Sequence, residues 1–208
     1  MRTVLVTAFE PFGGRRTNPS LEVLAALPPA LGGCRLVKAR LPVSGRKVGP
    51  EIRRLIARHK PFLAVSFGLA AGEASLRVER FALNIQDYGI KDNSGYMPVG
   101  KKIRDDGPAA YFVTADPRAA AAAALRAGVP AYVSNHAGTY VCNHLMYEAL
   151  SAAEEAGGSP RYAFIHLPFT TEGALKETQG KSVPPSLPLA KLAGAARAAI
   201  LALQRSAR

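Results

Sequence analysis

Phe62-Leu63-Ala64-Val65-Ser66-Phe67-Gly68 is the stretch whose reading decides the fold. Its apolar run is nearly continuous, which marks a strand buried on both faces, and Gly68 ends it. Moving toward the N-terminus, residues 48–59 bring Ile52, Leu55 and Ile56 to one helical face, and residues 34–43 read as a second strand. Asn18-Pro19 supply an N-cap and a first helical position for a helix carrying Leu21, Leu24, Ala25 and Leu27, with Pro28-Pro29 as its stop. Thr3–Phe9 is a third apolar run of strand length, cut off by Glu10-Pro11-Phe12-Gly13-Gly14. Buried strands alternating with helices imply a mainly parallel sheet covered on both sides. The expected fold is an α/β three-layer sandwich, its twisted, mainly parallel sheet having helices on both faces. A single domain over residues 1–208 accounts for the length.

Beyond Gly68 the rhythm breaks. Residues 75–88 alternate through Leu76, Val78, Phe81, Leu83 and Ile85, as a strand or hairpin with one wet face would. A long polar, Gly-bearing excursion over 87–108 follows, of the kind that is either functional or mobile. Asp116-Pro117 open a helix running to Ala127, Arg161–Leu167 is another strand, and a last helix spans 188–204 after Val183-Pro184-Pro185. No internal repeat or linker divides the chain.

The totals narrow the function classes. An apolar content of 48% with 20% charged residues describes a soluble globular protein, and no apolar run approaches a membrane span. The opening Met1-Arg2-Thr3-Val4 run reads as a strand, without the features of a secretory signal. The two cysteines, Cys34 and Cys142, lie in unrelated contexts, so a disulfide framework is not expected and a reducing cytoplasm is. No Cys or His pair has zinc spacing, and no metal is assigned. The net charge of +12 is scattered, without a basic stripe interleaved with aromatics, which argues against a nucleic-acid partner.

Chemistry concentrates in Ser134-Asn135-His136-Ala137-Gly138-Thr139-Tyr140-Val141-Cys142-Asn143-His144. Ala131-Tyr132-Val133-Ser134 has strand character, Ala137-Gly138 allows a sharp turn, and Val141, Leu145, Met146, Ala149, Leu150 and Ala153 recur at helical spacing. Cys142 then falls in a first helical turn, where unpaired N–H groups and the helix dipole favour a thiolate. The alternative is a small buried hydrophobe, as most free cysteines are. In an open parallel sheet ligands gather at the carboxyl ends of the strands, where Phe9 to Gly14, Gly68 to Gly72, the Cys142 turn and His166 are expected to meet. Of the four histidines, His59 sits at a helix end, His144 points away from Cys142, and His136 stays open; His166 is the best-placed base. A base needs an orienting acceptor. Glu79 is an acid within an apolar pattern, and the pattern alone favours a surface pairing with Arg77 or Arg80.

Four segments together resemble the pyroglutamyl-peptidase I (pyrrolidone-carboxylate peptidase) family of cysteine peptidases. They are Val4 to Gly14 with Asn18-Pro19-Ser20; Gly68-Leu69-Ala70 through Glu79-Arg80-Phe81-Ala82-Leu83-Asn84; Ala137-Gly138-Thr139-Tyr140-Val141-Cys142-Asn143; and Phe164-Ile165-His166-Leu167-Pro168. The resemblance implies a triad of Cys142 as nucleophile, His166 as base and Glu79 as the orienter of the imidazole, with no cofactor. It implies as substrates peptides with N-terminal pyroglutamate, held in an apolar slot walled by Phe9 and Phe12 with Asn18 and the backbone near Leu69 as polar partners. It also implies a homodimer or homotetramer. The chain departs from the family at His136, where Ser or Thr is common, at Gly89, where an Arg is common and Lys91 is the nearby cation, and at Phe81 and Arg77. The competing readings are a cysteine amidase for another small blocked or lactam acyl group, and a non-catalytic nucleic-acid-binding protein.

Overall fold

A computed structural model describes residues 1–177 and 182–206 of the chain. In chain order its elements are β1 (Thr3–Phe9), α1 (Pro19–Ala26), β2 (Ala30–Leu31), β3 (Cys34–Leu41), α2 (Val48–His59), β4 (Leu63–Leu69), β5 (Leu76–Leu83), β6 (Ala110–Phe112), α3 (Pro117–Arg126), β7 (Ala131–His136), α4 (Val141–Glu155), β8 (Arg161–Leu167), β9 (Phe169–Thr170), α5 (Thr171–Glu177), β10 (Ser186–Leu187) and α6 (Leu189–Ser206). The main sheet runs β2-β3-β1-β4-β8-β5-β6, with β7 pairing to β5. Strands β3, β1, β4 and β8 are parallel neighbours; the nearly unbroken apolar runs of β1, β4 and β8 fit interior places, whereas β3, with Arg35, Lys38 and Arg40 exposed, lies nearer the edge.

Two cores follow from the alternation of side chains across these strands. Val4 and Val6 of β1, Val65 and Phe67 of β4, and Ala163 and Ile165 of β8 pack on one face under α1, α3 and α6. Leu5, Ala64, Tyr162 and Phe164 pack on the other under α2 and α4. The Ala-rich stretches of α3 and α6 serve close approach: Ala120, Ala121 and Ala124 meet Ala195, Ala196 and Ala199 in one cluster. Truncating a fully buried side chain such as Ile52 to Ala costs about 2–5 kcal/mol. Among the described residues no helix is long and apolar enough to cross a membrane.

The connections fix where a ligand can sit. From β1 the chain crosses one face through α1 to reach β3, then crosses the other through α2 to reach β4 on the far side of β1. That reversal between β1 and β4 is the switch point at which an open α/β sheet leaves a crevice. The pairing of β1 with β4 stops at Ala8–Phe67, whereas β4 stays paired with β8 as far as Leu69–Leu167. Past Phe67, β4 has no register partner in β1, and the backbone of Leu69 is the next to face that side.

Three expectations need correction. Gly68 does not end its strand, because pairing with β8 carries β4 through it. Residues 75–88 do not form a strand with one wet face: β5 covers only Leu76–Leu83, none of its residues is exposed, and it lies within the sheet, antiparallel to β8 at Arg77–His166 and Val78–Ile165 and parallel to β7. For the same reason β7 runs opposite to the parallel set, and the Cys142 turn is not one of that set's carboxyl ends. It reaches their edge because β5 leaves β8 after two paired residues and residues 137–140 lead α4 back over the crevice. The short elements β2, β6, β9, β10 and α5 carry too few residues for periodicity to reveal.

Candidate active site

Tyr162, Phe164 and His166 alternate onto one face of β8, so the imidazole emerges on the side covered by α2 and α4. Arg77 of β5 lies directly across from His166, and Glu79, two residues on, shares that face. Glu79 Oε1 lies 2.7 Å from His166 Nδ1, and Glu79 is 0% exposed. An ionised carboxylate only accepts, so Nδ1–H donates to it and Nε2 keeps its lone pair. The expectation of a surface pairing for Glu79 is therefore overturned. Arg77 is adjacent, with Nε 3.3 Å from the same Oε1, but the carboxylate is fully buried and its hydrogen bond goes to His166.

Cys142 is positioned by the turn between β7 and α4. Gly138 sits at φ 77°, in the left-handed region that only glycine enters freely, and its N–H donates to His136 Nδ1 at 3.1 Å. His136 is exposed and braces the turn; it does not line the cavity beside Cys142. Asn143 then locks the helix start to the end of β5. Its Oδ1 accepts from Leu83 N–H at 2.8 Å, and its Nδ2 donates to the carbonyls of Leu83 and Ile85 at 2.8 and 3.0 Å. Cys142 is the second residue of α4, where backbone N–H groups have no intrahelical acceptor. Burial pushes its thiol up to about 12, and the negative charge of Glu79 adds to the rise; its own backbone N–H and Arg77 oppose it. Desolvation thus opposes the pull of the helix start toward a thiolate.

Cys142 and His166 open into one cavity of about 130 Å³ at the switch point. Phe9, Phe12, Asn18 and Leu69, the expected binding residues, all line it, together with Val43, Ala137, Val141 and Tyr140. Asn18 is nearly spent: Oδ1 accepts from Ser20 N–H and Oγ–H at 3.0 and 2.7 Å, and Nδ2 donates to Glu10 O at 3.0 Å. One Nδ2 hydrogen remains for a ligand acceptor. Tyr140 is the wall residue that sequence reasoning missed. Its ring packs tilted against Tyr88 at 4.7 Å and Phe12 at 6.2 Å, and its hydroxyl donates to Lys91 O at 3.2 Å. The signal for it was aromatic character one residue before an expected helix start.

Lys91 and Gly89 are both exposed, and no cation lines this cavity among the described residues. The loop over 87–108 is fastened down. Asp92 accepts from the N–H groups of Gly45, Ser94 and Tyr96 at 2.8, 2.8 and 2.9 Å. Burial alone would raise its carboxyl, but these bonds and that of the Ser94 hydroxyl hold it below the usual range. Asn84 accepts from Ile103 and Arg104 N–H, both at 2.9 Å, at the far end of the loop. A larger cleft of about 430 Å³ opens at the amino edge of the sheet among Arg2, Cys34, Phe62 and Arg205, and no imidazole or carboxylate lines it among the described residues. Nor does any group of three or more His, Cys, Asp or Glu suit a metal ion there.

Comparison with known proteins agrees across sequence and fold. A family profile described as pyroglutamyl peptidase matches residues 2–206. A pyrrolidone-carboxylate peptidase of Thermococcus onnurineus is 45% identical over 172 residues, covering 83% of this chain and 86% of that protein. Among solved structures, a mutant pyrrolidone carboxyl peptidase from Pyrococcus furiosus superposes with a TM-score of 0.93 at 32% identity, covering 98% of each chain. The pyrrolidone carboxyl peptidase of Thermococcus litoralis gives 0.92 at 34% identity, covering 99% of this chain and 94% of that one.

Proposed function

The chain belongs to the pyroglutamyl peptidase family, and from that membership we propose how its residues divide the work: Cys142 attacks, His166 moves the proton, and Glu79 orients His166. It is a cysteine exopeptidase, a hydrolase that removes N-terminal pyroglutamate from peptides. One observation carries the division of labour: a fully buried carboxylate bonds His166 Nδ1 at 2.7 Å, leaving Nε2 free in the cavity that holds Cys142.

With the thiol held near 12, attack needs a base at the moment of reaction. His166 Nε2 takes the proton from Sγ as sulfur bonds to the pyroglutamyl carbonyl carbon, and the imidazolium that forms is stabilised by Glu79. The negative charge moves to the carbonyl oxygen, toward the free N–H of Cys142 at the start of α4. His166 returns the proton to the departing amine, the C–N bond breaks, and a pyroglutamyl thioester stays on Cys142. Water, deprotonated by His166, hydrolyses the thioester and restores the thiol. Protein groups and water suffice.

The cavity accounts for the acyl group. Pyroglutamate lacks an ammonium, so an apolar slot walled by Phe9, Phe12 and Tyr140 costs it little. The spare hydrogen of Asn18 Nδ2 serves the lactam carbonyl, and the backbone of Leu69 serves the other edge of the ring. A prolyl residue brings a charge and no lactam carbonyl, leaving those groups unpaired. Sites built on hydrogen bonds reject such analogues by factors on the order of 10⁴. The same reading takes residues 1–208 as one peptidase domain that works as a homodimer or homotetramer in the cytoplasm. Hydrolysis of fluorogenic pyroglutamyl, prolyl and acetyl-aminoacyl amides tests it. Turnover of the pyroglutamyl amide alone is expected; preference for either of the others points to an amidase of different acyl specificity.

A further inference from the structure

Arg77 is the one charged side chain directly across the sheet from His166, and it is not at the surface in the ordinary sense. Its Nη2 donates to Ser134 Oγ at 3.1 Å and to His136 O at 3.0 Å, and its Nη1 lies 3.6 Å from Glu73 Oε1. These contacts hold the guanidinium so that Nε stands 3.3 Å from Glu79 Oε1, the oxygen that accepts from His166. Nε itself is buried without a hydrogen-bond acceptor, and Glu79 Oε2 is buried without a donor. Arg77 therefore acts on Glu79 through charge at close range, not through a fork of hydrogen bonds.

A buried carboxylate beside one imidazole tends to pull a proton onto it and settle as an ion pair. An imidazole already protonated cannot take the proton of a thiol. A positive charge on the same oxygen weakens that pull while keeping the carboxylate ionised. We infer that Arg77 is a positioning residue for the reaction: by sharing Glu79 with His166 it keeps His166 neutral, and so able to act as a base, to lower pH than the Glu79–His166 pair alone would allow. The inference rests on the triad proposed above. The other titratable groups facing this cluster are Glu73 before β5, Tyr132 and His136 on β7, Cys142 on α4, and the phenols of Tyr88, Tyr140 and Tyr162 around the thiol. Burial holds those three phenols up, and they are neutral at working pH. The effect of Arg77 on the thiol has the same sign, lowering it against the influence of Glu79.

The test is the pH dependence of kcat/KM for a pyroglutamyl amide in wild type, Arg77→Met and Arg77→Lys. In Arg77→Met the acid limb moves up by about one pH unit, a tenfold loss at the foot of the profile. Arg77→Lys, which keeps the charge, restores the wild-type limb. An unmoved limb in Arg77→Met, or a lysine variant shifted as far as the methionine one, overturns the inference. If Arg77→Met does not fold, Glu73→Gln supplies the opposite perturbation: with less negative charge near Nη1 the limb moves down, and an unmoved limb overturns the inference equally. Glu79→Gln separates the two readings. Its loss of turnover leaves the triad standing whatever Arg77 does, whereas full turnover in Glu79→Gln counts against the triad itself.

Discussion

Gly68→Ala probes the rigidity of the site without touching a polar group. Gly68 pairs in register with His166, and the imidazole lies across its bare Cα. A Cβ at Gly68 would come 2.8 Å from Phe164 Cζ and 3.0 Å from His166 Cδ2. Ordinary contact begins near 3.4 Å, so the Phe164 ring must give by about 0.6 Å and the imidazole by about 0.4 Å. Phe164 has nowhere to go, being 0% exposed and packed 4.8 Å from the His166 ring. Any shift of Phe164 presses on the imidazole packed against it, so both rings yield together, and with them the 2.7 Å bond to Glu79 or the aim of Nε2. A misplacement of about an ångström costs on the order of a hundredfold in rate, so a shift of about half that costs on the order of tenfold, or about 1.4 kcal/mol of activation free energy. Overpacking also lowers stability by about 1–3 kcal/mol. Steady-state hydrolysis of a fluorogenic pyroglutamyl amide by folded Gly68→Ala should show kcat down by that factor, with KM changed little. A kcat within twofold of wild type would refute the view that a fixed imidazole limits the reaction.

His166→Ala should lose at least a hundredfold in kcat/KM, whereas His136→Ala should stay within a few-fold and lose about 1 kcal/mol in urea melts, because His136 only accepts the Gly138 N–H; the reverse pattern would exchange their roles. Asn18→Ala removes the N-cap of α1 and the spare Nδ2 hydrogen that lines the slot, so KM for the pyroglutamyl amide should rise while the melting temperature falls by about 3 °C; an unchanged KM would remove Asn18 from substrate binding. His144 is held by burial at about 4 against an ordinary 6.5. Between those values the unfolded chain binds a proton that the folded chain refuses, so stability falls as pH drops from about 6.5 to about 4, by roughly 3 kcal/mol. Urea unfolding of His144→Gln at pH 7 and pH 4.5 should show most of that slope gone, and an equal slope in both proteins would mean that other groups govern acid sensitivity.

Strong periodicity made the skeleton legible. Thr3–Phe9, Val48–His59 and Arg161–Leu167 have the bounds that their apolar patterns imply, and the N-caps at Asn18 and Asp116 stand where Asn-Pro and Asp-Pro announce them. What stayed hidden depends on contacts between distant residues. The direction of β7 is set by its pairing with β5, which no local pattern encodes. The excursion over 87–108 reads as structureless because Asp92 and Asn84 side chains, not apolar spacing, hold it. Glu79 looks like a surface acid in its own strand, and only the strand opposite, with His166, explains why a carboxylate is buried there. The thiol of Cys142 shows the limit most sharply, since a helix start argues for a thiolate while the desolvation and the Glu79 charge that push the other way are invisible in sequence. Tyr140 likewise becomes a wall of the site through Tyr88 and Phe12.

The most direct measurement is acid-quenched mass spectrometry of the enzyme during turnover of a pyroglutamyl amide, with Cys142→Ala alongside. A pyroglutamyl group carried on the peptide containing Cys142, absent from Cys142→Ala together with all turnover, is the predicted result. Sustained turnover by Cys142→Ala, or an acyl group found on another residue, would contradict the mechanism.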